Sequence, residues 1–370
     1  MSSSSSFPRT RDCCVPVDEP SWWYMEQSDW RARLLYPIAA TYGALAVRRF
    51  THGRPFRSQL PVICVGNFTV GGTGKTPLAL LIVRALKGRG ERPALLARGY
   101  GGRLPGPRRV DPGRDAAAEV GDEALIMAQQ ATTFVARDRA AGARAIEEGG
   151  ERANVIVMDD GLQNPSLTKD LTIAVVDGRR GFGNGQVLPA GPLRAPLEFQ
   201  LRLADAVLVN HPPQGPGQEA SAVGEWLRRR FPGPVLEGRP QPVGDTSAFK
   251  GARVVAIAGI ANPERFFRLL EALGAIVVER IAFPDHHPFS EADADRLLRL
   301  AAANKAMLVT TEKDHVRLAG SAGLKGELRA IARVLRIELT LEARDMERLS
   351  SLIDLSLRAK RGRAGTGVAE

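Results

Sequence analysis

The chain has 370 residues, 44% of them hydrophobic, too apolar for a disordered protein and long enough for one large α/β unit or two domains. Lys and Arg (51) outnumber Asp and Glu (41), and the net charge of +10 favours anionic partners: nucleic acid, phosphorylated ligands or an anionic membrane surface. Three cysteines, Cys13, Cys14 and Cys64, exclude a disulfide framework and indicate a reducing compartment.

Residues 1–18 carry Ser, Pro and Arg without periodicity and are expected to be disordered, with Cys13 and Cys14 as free thiols. Residues 19–58 hold Trp22, Trp23 and Trp30, three of the four tryptophans, with Tyr24, Tyr36 and Tyr42. Leu34, Leu35, Ile38, Tyr42 and Leu45 fall on one helical stripe, and Arg48, Arg49, Arg54 and Arg57 follow with no acid between them. The apolar run is shorter than the roughly 20 residues that span a bilayer. Rings, stripe and basic collar suit a helix lying in the headgroup layer. The alternative is a helix packed on the domain with its arginines solvated.

From 59 to 210, strand-like runs (60–66, 93–97, 132–136, 153–159, 171–177, 205–210) alternate with helical patterns (75–88, 121–130, 138–148). This predicts a mostly parallel sheet flanked by helices, with ligands beyond the carboxyl ends of the strands. The Pro- and Gly-rich stretch 211–250 reads as a connection. A second α/β lobe over 251–358 follows, with strands at 252–259, 275–282 and 306–311 and helices at 263–273 and 290–303. The Arg/Gly tail at 359–370 reads as disordered.

The first strand leads into Thr69-Val70-Gly71-Gly72-Thr73-Gly74-Lys75-Thr76 and then a helix. Strand, glycine-rich loop, Lys-Thr and helix form a phosphate cradle of the P-loop kind. Backbone N–H groups converge on one anion, Lys75 reaches the β- and γ-phosphates, and the Thr76 hydroxyl ligands Mg²⁺. The usual pattern opens on Gly where Thr69 stands; Gly71 and Gly72 supply equivalent freedom.

Asn154 to Asp160 is an apolar strand ending in two aspartates, which suits delivery of Asp159 to Mg²⁺ beside the cradle. Asp160 either begins the turn Gly161-Leu162-Gln163-Asn164 or faces the acceptor. Asp122, before a helical run, is either an N-cap or the carboxylate that receives a hydroxyl proton. Asp285-His286-His287 lacks the companion ligands of a zinc site, so a histidine paired with a carboxylate across the cleft is the simpler reading. Arg98 and Arg194 lie in glycine-bearing loops, where they are either solvated or recognise a phosphorylated substrate.

Together these stretches resemble the tetraacyldisaccharide 4′-kinase family of lipid A biosynthesis. The resemblance rests on Trp22-Trp23 with the later Leu34-Leu35 and Tyr42-Gly43, then Val65 through Pro77, Arg98-Gly99-Tyr100-Gly101 and Gly121-Asp122-Glu123. It continues through Asp159-Asp160-Gly161-Leu162-Gln163, Gly183-Asn184-Gly185 and Leu188 to Arg194. Ala258-Gly259-Ile260-Ala261-Asn262-Pro263, Phe283-Pro284-Asp285-His286-His287 and Thr311-Glu312-Lys313-Asp314 complete it. Thr69 is what that family carries; Asn164 and Ala195 depart from its usual His and Glu. The resemblance implies transfer of the ATP γ-phosphate to the 4′-hydroxyl of a tetraacylated glucosamine disaccharide 1-phosphate. It implies Asp122 as base, paired with His286 and acting with Lys75 and Asp160. Arg98, Gln163, Asn164 and Arg194 are the expected substrate contacts. It also implies a peripheral enzyme on the cytoplasmic face of the inner membrane, with an acylated lipid as substrate and neither nucleic acid nor an obligate protein as partner. A P-loop GTPase or metallochaperone-type switch is the rival; Asn304-Lys305-Ala306-Met307 lacks the aspartate that guanine recognition uses.

Overall fold

The computed structural model describes residues 19–25, 29–150, 152–212, 221–260 and 262–365. The expectations for residues 1–18, including Cys13 and Cys14, lie outside these. In chain order the first eight strands are β1 (Val62–Asn67), β2 (Pro93–Ala97), β3 (Arg108–Arg109), β4 (Thr133–Val135), β5 (Val155–Asp159), β6 (Leu171–Asp177), β7 (Ala206–Asn210) and β8 (Val235–Pro242). A second group follows: β9 (Arg253–Ala258), β10 (Ile276–Ala282), β11 (Met307–Thr311) and β12 (Arg333–Leu335). The last strand, β13 (Ile337–Leu341), returns to the first group, giving a nine-stranded sheet in the order β13-β8-β7-β6-β1-β5-β2-β4-β3. Its pairings are parallel except at the two edges, where β13 and β3 run antiparallel. The smaller sheet, β10-β9-β11-β12, is wholly parallel.

Strand β1 is buried along its whole length, as a central strand covered on both faces must be. Ile63 and Val65 face a cluster built with α2 (Lys75–Lys87), through Leu78, Ile82 and Leu86. Helix α4 (Asp122–Gln130) adds Leu125 and Met127 to it. Val62 and Cys64 face the other way, toward Ala143 and Ile146 of α5 (Arg139–Glu148). The alternation places the carboxyl ends of β1, β5 and β6 along one edge of the sheet, where the loops converge.

Two boundaries differ from the sequence reading. Residues 211–250 are more than a connection: they hold a helix, Ala222–Arg230, and the whole of β8. The second lobe does not run to 358, because β13 joins the large sheet and a final helix, Ala343–Gly365, packs Leu349, Ile353 and Leu357 into the first core. The small sheet is therefore an insertion in the large lobe. The predicted disordered tail is helical as far as Gly365.

At the other end, α1 (Trp30–Thr51) is capped by Asp29, whose carboxylate accepts from the Arg31 N–H. The helix is inverted relative to an ordinary surface helix. Its buried residues are Ala32, Ala39 and Gly43, while Trp30 (66% exposed), Leu34 (69%), Ile38, Tyr42 and Leu45 face outward. No helix among the described residues is long and apolar enough to cross a membrane. Trp23 departs from the expected aromatic fringe: it is buried and its indole N–H donates to the Pro189 carbonyl at 3.3 Å.

Candidate active site

The loop after β1 delivers the chain to α2, which begins at Lys75 with Gly74 as its cap. Gly71 and Gly74 hold φ of +91° and +96°, a backbone region costly for other residues. Neighbouring groups bond the loop's carbonyls from behind. Asn67 Nδ2 and Arg194 Nε donate to the Thr69 carbonyl (2.7 and 3.1 Å), and Asn210 Nδ2 donates to that of Thr73 (2.8 Å). Carbonyls fixed outward leave the opposite surface of the loop to N–H groups, which with the start of α2 make an anion cradle.

Strand β5 lies beside β1, with Val65 opposite Asp159. The Thr76 hydroxyl donates to Asp159 Oδ2 at 3.5 Å, while Asp159 Oδ1 is buried with no hydrogen-bond partner. Burial, with Glu123 and Asp160 close by, pushes this carboxyl up to about 7. An unpartnered buried carboxylate oxygen beside a hydroxyl, below a phosphate cradle, fits a divalent cation. Asp160 takes a left-handed turn (φ +52°) and accepts from Arg194 Nη1 at 2.6 Å, with Lys75 Nζ at 3.9 Å. Burial opposes its ionisation, but the Lys75 and Arg194 charges hold it well below the usual carboxylate range. Behind the pair, buried Arg139 donates to the carbonyls of Asp159 (3.1 Å) and Ala136 (2.6 Å).

The cluster around Asp122 assembles from both lobes. Gly121 turns at φ +90°, where a Cβ would strike the Tyr100 carbonyl, and sets Asp122 at the first position of α4. Asp122 is thus inside the helix rather than its cap, and its Oδ1 accepts from the Glu123 N–H at 2.8 Å. From the small lobe, His286 Nδ1 lies 3.0 Å from Asp122 Oδ2. Arg317 of the helix Glu312–Arg317 donates to the same oxygen through Nη2 (2.7 Å) and Nε (3.1 Å). Lys313 pairs with Glu123 at 2.7 Å. Burial alone would raise the Asp122 carboxyl; the His286 hydrogen bond and the Lys313 and Arg317 charges outweigh it and depress it strongly. The hydrogen bond to Asp122 raises His286.

Arg98 is exposed at the end of β2. Gln163 and Asn164 differ from the expectation of open substrate contacts. Gln163 Nε2 donates to the Asn67 carbonyl (2.7 Å) and to Gln200 Oε1 (2.6 Å). Asn164 Oδ1 accepts from the Ser166 N–H and hydroxyl. Both hold the turn after Asp160. Arg317 and Arg139 had not been singled out. Arg317 sits one helical turn beyond Lys313 of the Thr311-Glu312-Lys313-Asp314 run, and i, i+4 spacing on that helix was its only sequence signal.

A glycine-rich loop opening a helix at Lys75, a buried aspartate beside Thr76 and a second carboxylate met by a histidine from the small lobe are the parts of a P-loop phosphotransferase. The chain belongs to the tetraacyldisaccharide-1-P 4′-kinase family, whose profile matches residues 31–357. It is 53% identical over 322 residues to the tetraacyldisaccharide 4′-kinase of Methylorubrum extorquens, covering 86% of this chain and 93% of that one. The Rhodospirillum centenum enzyme of the same name is 49% identical over 316 residues, 84% and 90% of the two chains. Among solved structures, LpxK of Aquifex aeolicus in complex with ATP superposes with a TM-score of 0.68 at 25% identity, covering 88% of this chain and 99% of that chain.

Proposed function

We infer that the protein transfers the γ-phosphate of ATP to the 4′-hydroxyl of a tetraacylated glucosamine disaccharide 1-phosphate, forming the 4′-phosphate of a lipid A precursor. The observation that carries this is the meeting of Asp122 and His286 from different lobes, next to Glu123, whose carboxyl feels the Lys75 charge. In this reading Lys75 and the loop amides bind the triphosphate, with Asp160, itself held by Arg194, fixing the Lys75 ammonium. Thr76 and Asp159 would hold Mg²⁺, which when bound supplies charge neutralisation at the phosphoryl oxygens. Asp122 is ionised at any physiological pH and is a weak base. It orients the sugar hydroxyl and takes its proton late, once bonding to phosphorus has made that proton acidic. Arg98, exposed at the same edge of the sheet, is assigned to the substrate's anionic groups, whereas Gln163, Asn164 and Arg194 shape the pocket wall. The test is incubation of the purified protein with labelled ATP, Mg²⁺ and the disaccharide 1-phosphate in detergent. Label is expected in the lipid; label released only as inorganic phosphate would overturn the transfer.

Mg²⁺ binding is expected to expel a proton from Asp159, since the free carboxyl titrates near 7 and the cation takes only its ionised form. Calorimetry of Mg-nucleotide binding in buffers of different ionisation heat should show the release near neutral pH and its loss well above it. Asp159→Asn should abolish it and weaken the metal dependence of turnover; an unchanged metal titration would return Asp159 to a structural turn.

We also assign α1 to the membrane surface, on the cytoplasmic face of the inner membrane where an acylated substrate resides. The outward apolar stripe and exposed Arg48, Arg49, Arg54 and Arg57 support this. Leu34→Glu with Ile38→Glu should release the protein from anionic vesicles with little change in melting temperature, because neither side chain packs on the domain. Raised salt should release part of the unaltered protein. Retention of the double variant on vesicles would place the anchor elsewhere.

A further inference from the structure

The segment before α1 reaches back to the phosphate loop. Its anchor is Trp23, buried against the 183–190 loop, where its carbonyl accepts from the Asn184 N–H at 2.7 Å. Glu19, four residues before this anchor, lies directly on the cradle: a Cβ added to Gly71 would collide with Glu19 Oε1. The other carboxylate oxygen accepts from Arg180 Nη1 at 2.7 Å and from the Tyr24 hydroxyl at 2.9 Å. Arg180 stacks over the Tyr24 ring at 5.0 Å. Its backbone N–H is fixed at 2.9 Å by Asp177, the last residue of β6, and β6 is the immediate neighbour of β1. The Arg180 guanidinium is thus held at the rim of the phosphate loop with one carboxylate between the two.

A carboxylate is the protein group closest to a phosphoryl oxygen pair in shape and charge. Here one oxygen accepts from an arginine N–H and the other packs on a loop glycine, as phosphate oxygens would. A triphosphate in the loop places like charge beside it. We propose that Glu19 is an acidic gate on the nucleotide site. As ATP seats, Glu19 leaves Gly71 and Arg180 exchanges its carboxylate partner for the polyphosphate, becoming a nucleotide-positioning residue. The inference rests on ATP occupying this loop. No covalent bond changes: one ion pair is replaced by another, while Trp23 keeps the segment attached.

The test measures Mg-ATP affinity by calorimetry on the full chain for the wild type, Glu19→Gln, Arg180→Ala, the double variant and Lys75→Ala, with melting temperatures alongside. Glu19→Gln should bind several-fold more tightly and Arg180→Ala on the order of tenfold more weakly, the size of one charged contact. In the Arg180→Ala background the Glu19→Gln gain should disappear, because competition needs the arginine. Arg180→Lys, which keeps charge but not the fork, should recover only part of the loss. Unchanged or weaker binding by Glu19→Gln, or equal gains with and without Arg180, would overturn the gate. If Lys75→Ala also binds ATP normally, the fault lies with the nucleotide site itself; loss there with no effect at Glu19 and Arg180 removes the gate alone.

Discussion

Asp122→Asn is expected to cut kcat by about 10²–10⁴-fold, the usual span for a positioned acid–base group, with little change in affinity for ATP. Asparagine keeps the shape and can still accept from Arg317, so the fold is less disturbed than with alanine, which would leave the buried guanidinium with only its Asp314 and Gly259 hydrogen-bond partners. His286→Ala should produce a loss of the same kind, and the Asp122→Asn/His286→Ala double variant should be little worse than the worse single one. Full additivity of the rate effects would dissolve the pair. Stability carries a separate signature. Asp122 has a depressed carboxyl, so its contribution is complete above the unfolded value of about 3.9 and is lost as pH falls through the folded one. His286 is raised, so its share is present below about 6.5 and is lost as pH climbs through its folded value. The melting-temperature gap between wild type and Asp122→Asn should therefore persist at neutral pH and close only in strong acid.

Lys75→Ala is expected to abolish phosphoryl transfer while leaving a folded protein. The side chain is the cation set between the loop and Asp160, and removing it takes from the triphosphate the positive charge that the loop itself supplies. Arg194 still holds Asp160 at 2.6 Å, which is why the turn should survive. Single-turnover assays at saturating ATP, with circular dichroism of the variant, check both halves. Near-normal turnover from a folded Lys75→Ala protein would remove the nucleotide assignment.

The apolar runs and their punctuation made the elements legible: strands predicted at 93–97 and 171–177 lie where β2 and β6 lie, and the helices open within a residue or two of the expected starts. The error at 211–250 has a physical source. Pro240, Pro242 and Gly238 sit within β8, residues that argue against a strand because proline lacks the ladder donor. The pairing of β8 with β13 depends on contacts a hundred residues apart, and no local propensity encodes it. The same limit governs the site. Lys75 and Asp159 follow from strand ends and loop chemistry, whereas only the family resemblance singles out Asp122 as a base, and Arg317, 195 residues away in sequence, meets it only where the two lobes come together. Trp23 shows the converse: composition placed it with the membrane-facing rings, and burial against Pro189 places it in the protein.

The late return of β13 has a consequence for biosynthesis. When the ribosome has released β1 through β8, every part of the phosphate loop's own sheet exists except its last strand, and the open edge is β8. That edge stays unpaired while the entire inserted lobe is made, and the apolar face awaiting Leu349, Ile353 and Leu357 stays uncovered. A nascent chain in this condition presents both a strand template and a greasy patch, the two features that recruit chaperones or seed aggregates. Maturation of the enzyme is thus gated by β13 and the helix after it, and chains arrested or clipped before Ile337 should accumulate as insoluble material rather than as a working nucleotide-binding half.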